Sequence, residues 1–165
     1  MDSGNCTLRQ GRNSLKKMKE IDKIDAQGVM QSVLFVCIGN SGRSQLAEAM
    51  AREMFGDRVK VQSAGLRPEP MSSYTVQVLQ EIGIGVGNQQ AKGLDAIDMG
   101  KVGIVVTLFR GSEGSLPGAG SARLIEWPIE DPSDAAPDPA SQIAAFRKAR
   151  DEIRARLERF DFGAV

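Results

Sequence analysis

The chain has 165 residues, 41% of them apolar, and its 21 basic side chains match its 21 acidic ones. That balance argues against a broad nucleic-acid surface, and no stretch nears the roughly 18 apolar residues of a membrane span or the apolar core of a signal peptide, so a cytoplasmic globular protein without nucleic-acid or membrane partners is expected. Two cysteines, Cys6 and Cys37, are too few for a disulfide framework, and the absence of histidine excludes Ser-His and Cys-His catalysis as well as histidine zinc sites.

Residues 1–30 read as an extension. Arg9, Arg12, Lys16, Lys17, Lys19 and Lys23 outnumber Asp2, Glu20, Asp22 and Asp25 there. Leu15, Met18, Ile21 and Ile24 recur at helical spacing between a cap at Asn13 or Ser14 and a stop at Gly28. Three readings stand: one amphipathic helix, a disordered leader, or a start assigned too early, with Met30 the true beginning. Residues 31–165 read as a single catalytic domain. Within it, strands are predicted at 32–37, 59–62, 103–108 and 122–127, and helices at 44–55, 71–82 and 141–160. In the last helix Ile143, Phe146, Ala149, Ile153, Leu157 and Phe160 form one stripe. Strands alternating with helices imply an α/β fold with a parallel sheet covered on both faces, and ligands bind beyond the carboxyl ends of such strands.

One loop occupies that position. The apolar run Val33-Leu-Phe-Val ends in Cys37, and Ile38, Gly39, Asn40, Ser41 and Gly42 lead to Arg43 and Ser44 at the mouth of a helix. A strand–loop–helix turn aims several backbone N–H groups and the positive helix end at one spot. A thiol there is held toward thiolate, the working nucleophile. Arg43 offers a planar fork for two oxygens of a phosphate-like group, which a lysine would not match. Ser44 is placed to donate to the sulfur, and Asn40 is a residue type that tolerates left-handed backbone. Against this stands a buried, inert cysteine closing a strand. Asp131, stiffened by Pro132 on the loop after the fourth predicted strand, supplies a proton donor at the same sheet edge. Glu130 is its rival, and Asp-Pro is also an ordinary turn.

Val-Cys37-x-Gly-Asn-x-x-Arg43-Ser44, Ala-Glu-Ala, Ser63-Ala-Gly65 and Glu-Asp131-Pro132 together closely resemble the low-molecular-weight protein-tyrosine-phosphatase family, which includes thioredoxin-type arsenate reductases. The likeness runs over 32–160. It implies a three-layer fold with a four-stranded parallel sheet and helices on both faces. It also implies Cys37 as nucleophile, Arg43 as oxyanion clamp, Asn40 and Ser44 as loop supports and Asp131 as general acid, with no metal or cofactor. Ile38, Gly39, Ser41 and Gly42 complete the oxyanion loop.

The branch within the family is harder to assign. Residues 66–74 are short, as in the reductases, whereas the phosphatases carry a longer loop with an aromatic residue that packs on phosphotyrosine. Ser133-Asp134 stands where tyrosine phosphatases show aromatics, and 146–153 also resembles the reductases. Yet the two relay cysteines of thioredoxin-linked reductases correspond to Phe109 and Leu116, neither of which can exchange a disulfide. Gly42 stands where many relatives have a further cysteine. Lys92 falls where some reductases place an acidic potassium ligand, and its ammonium could replace the metal. Tyr74 reads equally as core or pocket wall, and Cys6 resolves an intermediate only if its segment reaches the loop.

The expectation is therefore a phosphatase that hydrolyses phosphotyrosine or an aryl phosphate through a phosphocysteine. The alternative is an arsenate reductase served by an external thiol (glutathione, mycothiol or the thioredoxin system), and a third reading is a non-catalytic oxyanion-binding module. The partner is accordingly a phosphoprotein or a small oxyanion, with or without an external reductant.

Overall fold

The computed structural model describes residues 31–112, 114 and 116–162. The proposed N-terminal helix and Cys6 lie outside them. Four parallel strands, β1 (Ser32–Cys37), β2 (Lys60–Gly65), β3 (Ile104–Thr107) and β4 (Arg123–Glu126), form one sheet in the order β2-β1-β3-β4. β1 lies at the centre, paired with β2 through Cys37 against Gly65 and with β3 through Val36 against Thr107. All six of its residues are buried, as a continuous apolar run requires when both faces are covered. β4 is the exposed edge, with Leu124 43% exposed.

β2 runs three residues beyond the predicted 59–62. Ser63, Ala64 and Gly65 have little intrinsic strand preference, and pairing with the end of β1 overrides it. Helix α1 (Arg43–Phe55) is rich in Ala, Met, Glu and Arg and stops at Gly56, whose φ of +54 suits glycine. Helix α2 (Ser73–Gln80) is shorter than the predicted 71–82. The Ser72 hydroxyl accepts from Tyr74 N at its start, and Arg150 donates to Val78 O (2.9 Å) near its end. Helix α3 (Pro139–Arg159) begins behind Asp138, with proline in its first turn.

All three α-helices pack on one face of the sheet. Val33 and Phe35 there meet Leu46 and Met50 of α1, Val78 and Leu79 of α2, and Phe146, Ile153 and Leu157 of α3. Leu34, Val36 and Val105 face the other way, against Ile97 and Val102. Leu94, Met99, Phe109 and Leu116 complete this smaller core. The three-layer, four-stranded parallel architecture holds, but its second layer consists of the 3-10 turns Leu94–Ala96 and Met99–Lys101 and loops rather than α-helices. Glycines at 93 and 100, and at 111, 114, 118 and 120, oppose longer helices there.

Candidate active site

The carboxyl end of β1 opens into the loop Ile38–Gly42, which runs straight into α1. A neighbouring segment shapes this loop. The carbonyls of Cys37, Ile38, Gly39 and Ser41 accept from the amides of Leu66, Arg67, Glu69 and Ser72 (2.8–3.1 Å), and Thr75 Oγ1 also donates to Ser41 O (2.7 Å). With its carbonyls drawn outward, the loop turns amides inward, and Asn40 N donates to Cys37 Sγ at 3.3 Å. β2 must come very close for this to work. A Cβ on Gly65 would lie 2.7 Å from Asn40 N and 2.8 Å from Gly39 C and Ile38 O, so only glycine fits.

Asn40 is the one non-glycine residue with positive φ among those described, at +50. Its side chain offsets the strain. Nδ2 donates to Ser44 Oγ (2.8 Å) and Ser63 Oγ (2.9 Å), while Oδ1 accepts from Lys92 N (2.8 Å) and Gln45 Nε2 (3.0 Å). Ser44 Oγ in turn lies 2.8 Å from Cys37 Sγ. Cys37, Asn40 and Ser44 thus form one buried cluster.

Arg43 reaches across the top of the sheet. Its NH1 donates to Leu108 O (3.2 Å) and Ile129 O (2.9 Å), which fixes the plane of the guanidinium, and NH2 meets Asp131 Oδ2 at 2.9 Å. Asp131 is held from its other oxygen by Ser133 N (3.0 Å) and Ser133 Oγ (2.7 Å). The loop after β4 therefore delivers Asp131 to the cradle while leaving it a third exposed. Glu130 points outward, 81% exposed, toward Lys148 Nζ (3.4 Å). Tyr74 packs on Phe146, ring centroids 5.5 Å apart, at the margin of the helical-face core.

Two further polar residues support the site: Gln45, which no motif singled out, and Glu48, the acid of Ala-Glu-Ala, to which the sequence assigned no role. Glu48, 1% exposed, accepts from Ser63 Oγ, pairs with Arg52 at 2.5 Å and lies 3.7 Å from Lys92 Nζ. Gln45, fully buried, joins Asn40 to Gln89 and Gln90. The available signal was weak: Gln45 and Glu48 share helical spacing with Ala49 and are buried with it, but the exposed Arg52 follows one turn on along the same face. Lys92 meets a carboxylate rather than a cation, and among the described residues no group of three or more His, Cys, Asp or Glu side chains is placed to hold a metal.

A family profile described as low molecular weight phosphotyrosine protein phosphatase matches residues 32–161. The chain belongs to this family. An arsenate reductase of Bacillus subtilis (strain 168) is 33% identical over 129 residues, which span 78% of this chain and 93% of the relative. A solved arsenate reductase in its oxidized state superposes with a TM-score of 0.69 at 25% identity, over 78% of this chain and 95% of that one. A tyrosine phosphatase of Erwinia amylovora shares the fold (TM-score 0.67, 18% identity, 81% and 92% coverage). In this family member Phe109 and Leu116, the positions matched to relay cysteines, are half-buried in the smaller core.

Proposed function

We propose that this protein reduces arsenate at Cys37, with an external thiol completing the reaction. The observation that carries this reading is where the aromatic residues lie. The sequence has one Trp, one Tyr and six Phe, and all eight rings are packed into the two cores. Phe55, Tyr74, Phe109 and Phe160 keep part of their surface exposed, but each packs against one of these cores rather than standing free to stack on a phosphotyrosine ring, which supports a small inorganic oxyanion as the substrate. Relatives at 30–33% identity that bear the name arsenate reductase support the same choice.

In the resting site Asp131 occupies Arg43. An incoming arsenate takes over the guanidinium and the inward amides, the preorganised stabilisation that usually contributes most to rate. Asp131, released from its cation and facing an anion, is then set to carry a proton. The Cys37 thiolate attacks arsenic, and an arsenic–oxygen bond breaks as that oxygen takes the proton from Asp131 and leaves as water. An external thiolate next attacks Cys37 Sγ. The sulfur–arsenic bond breaks with its electron pair on arsenic, so As(V) leaves as arsenite and Cys37 is left in a mixed disulfide. A second external thiol displaces Cys37 and departs as the disulfide. Two thiols are oxidised for each arsenate reduced.

The test supplies arsenate to purified protein with glutathione, mycothiol or reduced thioredoxin in turn, measures arsenite, and assays aryl phosphate hydrolysis in parallel. Arsenite formation with one of these thiols, abolished by Cys37→Ser, is the expected result. A second reading, phosphomonoester hydrolysis through phosphocysteine, is favoured by Asp131 standing 2.9 Å from Arg43, where a leaving oxygen needs its acid. Phosphate release without arsenite under any thiol would replace the first reading with the second. Tight phosphate binding with neither turnover would leave an oxyanion-binding module.

A further inference from the structure

Gln45 is the least expected residue near the thiol. It is fully buried, yet every hydrogen-bonding group of its side-chain amide is used. Nε2 donates to Asn40 O (3.1 Å), Asn40 Oδ1 (3.0 Å) and Gln90 O (3.1 Å), while Oε1 accepts from Gln89 Nε2 (2.7 Å). Gln89 Nε2 also reaches Gln45 O (3.3 Å). The partners decide which way the amide points, since the reverse orientation would set an oxygen against three acceptors.

We propose that Gln45 is a positioning residue for Cys37. It acts through Asn40, which must hold a left-handed backbone in order to give its amide to Cys37 Sγ and its side chain to Ser44. Ser63 and the Lys92 amide hold only the Asn40 side chain, whereas Gln45 grips both that side chain and the Asn40 carbonyl. Gln89 and Gln90 complete the device by fixing the direction of the Gln45 amide. Loss of Gln45 therefore loosens the Asn40 side chain and the peptide that follows Asn40, and with them the orientation of the Asn40 amide and of Ser44, so the sulfur loses directed donors. The inference rests on Cys37 being the nucleophile, as proposed above.

The experiment measures the alkylation rate of Cys37 by iodoacetamide at neutral pH in a Cys6→Ser background. Gln45→Met keeps the volume and packing and removes the donors. Its alkylation should be about tenfold slower, as loss of charge-assisted donors predicts. A residue that merely fills space would give the opposite sign, since a loosened fold exposes the buried thiol and speeds the reaction. Gln89→Leu leaves Gln45 in place but frees its amide to turn, and should slow alkylation by a smaller factor. Urea midpoints accompany both variants. The proposal is overturned if folded Gln45→Met reacts at the parent rate or faster. Should Gln45→Met fail to fold, a Gln89→Leu protein reacting at the parent rate overturns it instead. Protection of the parent protein by arsenate is read in the same assay, and its absence would count against the proposed function while leaving the comparison of variants intact.

Discussion

The two faces of the sheet are built differently, and the difference bears on chemistry. The helical face supplies Arg43, Ser44, Gln45 and Glu48 from the first turns of α1, all buried among packed side chains. The opposite face is closed by glycine-rich loops and 3-10 turns, with Phe109 and Leu116 as apolar plugs. The first face anchors a cradle to within the reach of hydrogen bonds. The second contributes hydrophobic cover at the positions matched to relay cysteines. A protein arranged in this way is equipped to begin an oxyanion reaction, and the proposed function draws its reducing agent from outside.

If that division is real, changes at the cradle should disable chemistry, while changes on the loop face should cost stability alone. The largest effect is expected at Gly65, where β2 meets the cradle. Gly65→Ala places a methyl group against three backbone atoms of the loop, at 2.7–2.8 Å. Backbone cannot swing aside as a flexible side chain can, so the cradle itself must deform. Destabilisation of about 3 kcal/mol is expected, together with loss of phosphate binding. A urea titration and a phosphate-binding isotherm on the same sample check both. Full phosphate affinity in Gly65→Ala would mean the cradle is softer than the argument allows.

Asp131→Asn should follow. Turnover should fall on the order of a hundredfold for lack of a proton donor. Oxyanion affinity should move the other way and tighten a few-fold, because Arg43 no longer starts in an ion pair. A kcat and a phosphate inhibition constant that fall together separate this mechanism from general damage, in which kcat would fall while the inhibition constant rose.

Much of this organisation was legible in the chain. An apolar run ending in Cys37, glycines around an asparagine, and an arginine leading a helix of good formers describe β1, the loop and α1 almost directly, because these are local patterns. Asn40 was legible for the same reason, since few residue types accept its φ. The supports were not. Gln45 finds Gln89 and Gln90, and Glu48 finds Ser63 and Lys92, across separations of 15 to 45 residues. Neither helical periodicity nor a short motif encodes such partners. The thin second layer lay between these cases, since its glycines were plain to see but a parallel sheet raised the expectation of helices on both faces.

On the loop face, Phe109→Ala removes half of the plug. Because Phe109 is half-buried, the cost should be about 1–2 kcal/mol, below the range for a fully buried phenylalanine. Iodoacetamide reactivity of Cys37 and phosphate affinity should remain close to the parent values. Loss of either would show the two faces to be coupled and would weaken the contrast drawn between them.

The smallest effect is expected at Asp138, which caps the helix that backs the acid loop. Gln142, in the first turn of α3, donates to Ala135 O (2.8 Å), so the start of this helix also steadies the turn that carries Asp131. Hydrogen bonds from Ser141, its hydroxyl first and then its amide (2.8 Å to Oδ1), hold the Asp138 carboxyl below the ordinary aspartate value. The sign follows directly. A carboxyl that ionises more readily in the folded state stabilises it at pH above the ordinary aspartate value, and that contribution fades as the pH falls past this value toward the lower folded one. Asp138→Ala should therefore lower the melting temperature slightly at neutral pH, and the difference from the parent should shrink in acid. Melting curves taken from neutral to strongly acidic pH read both. A difference that stays constant down to the acid limit would mean that the cap acts through geometry alone, without its charge.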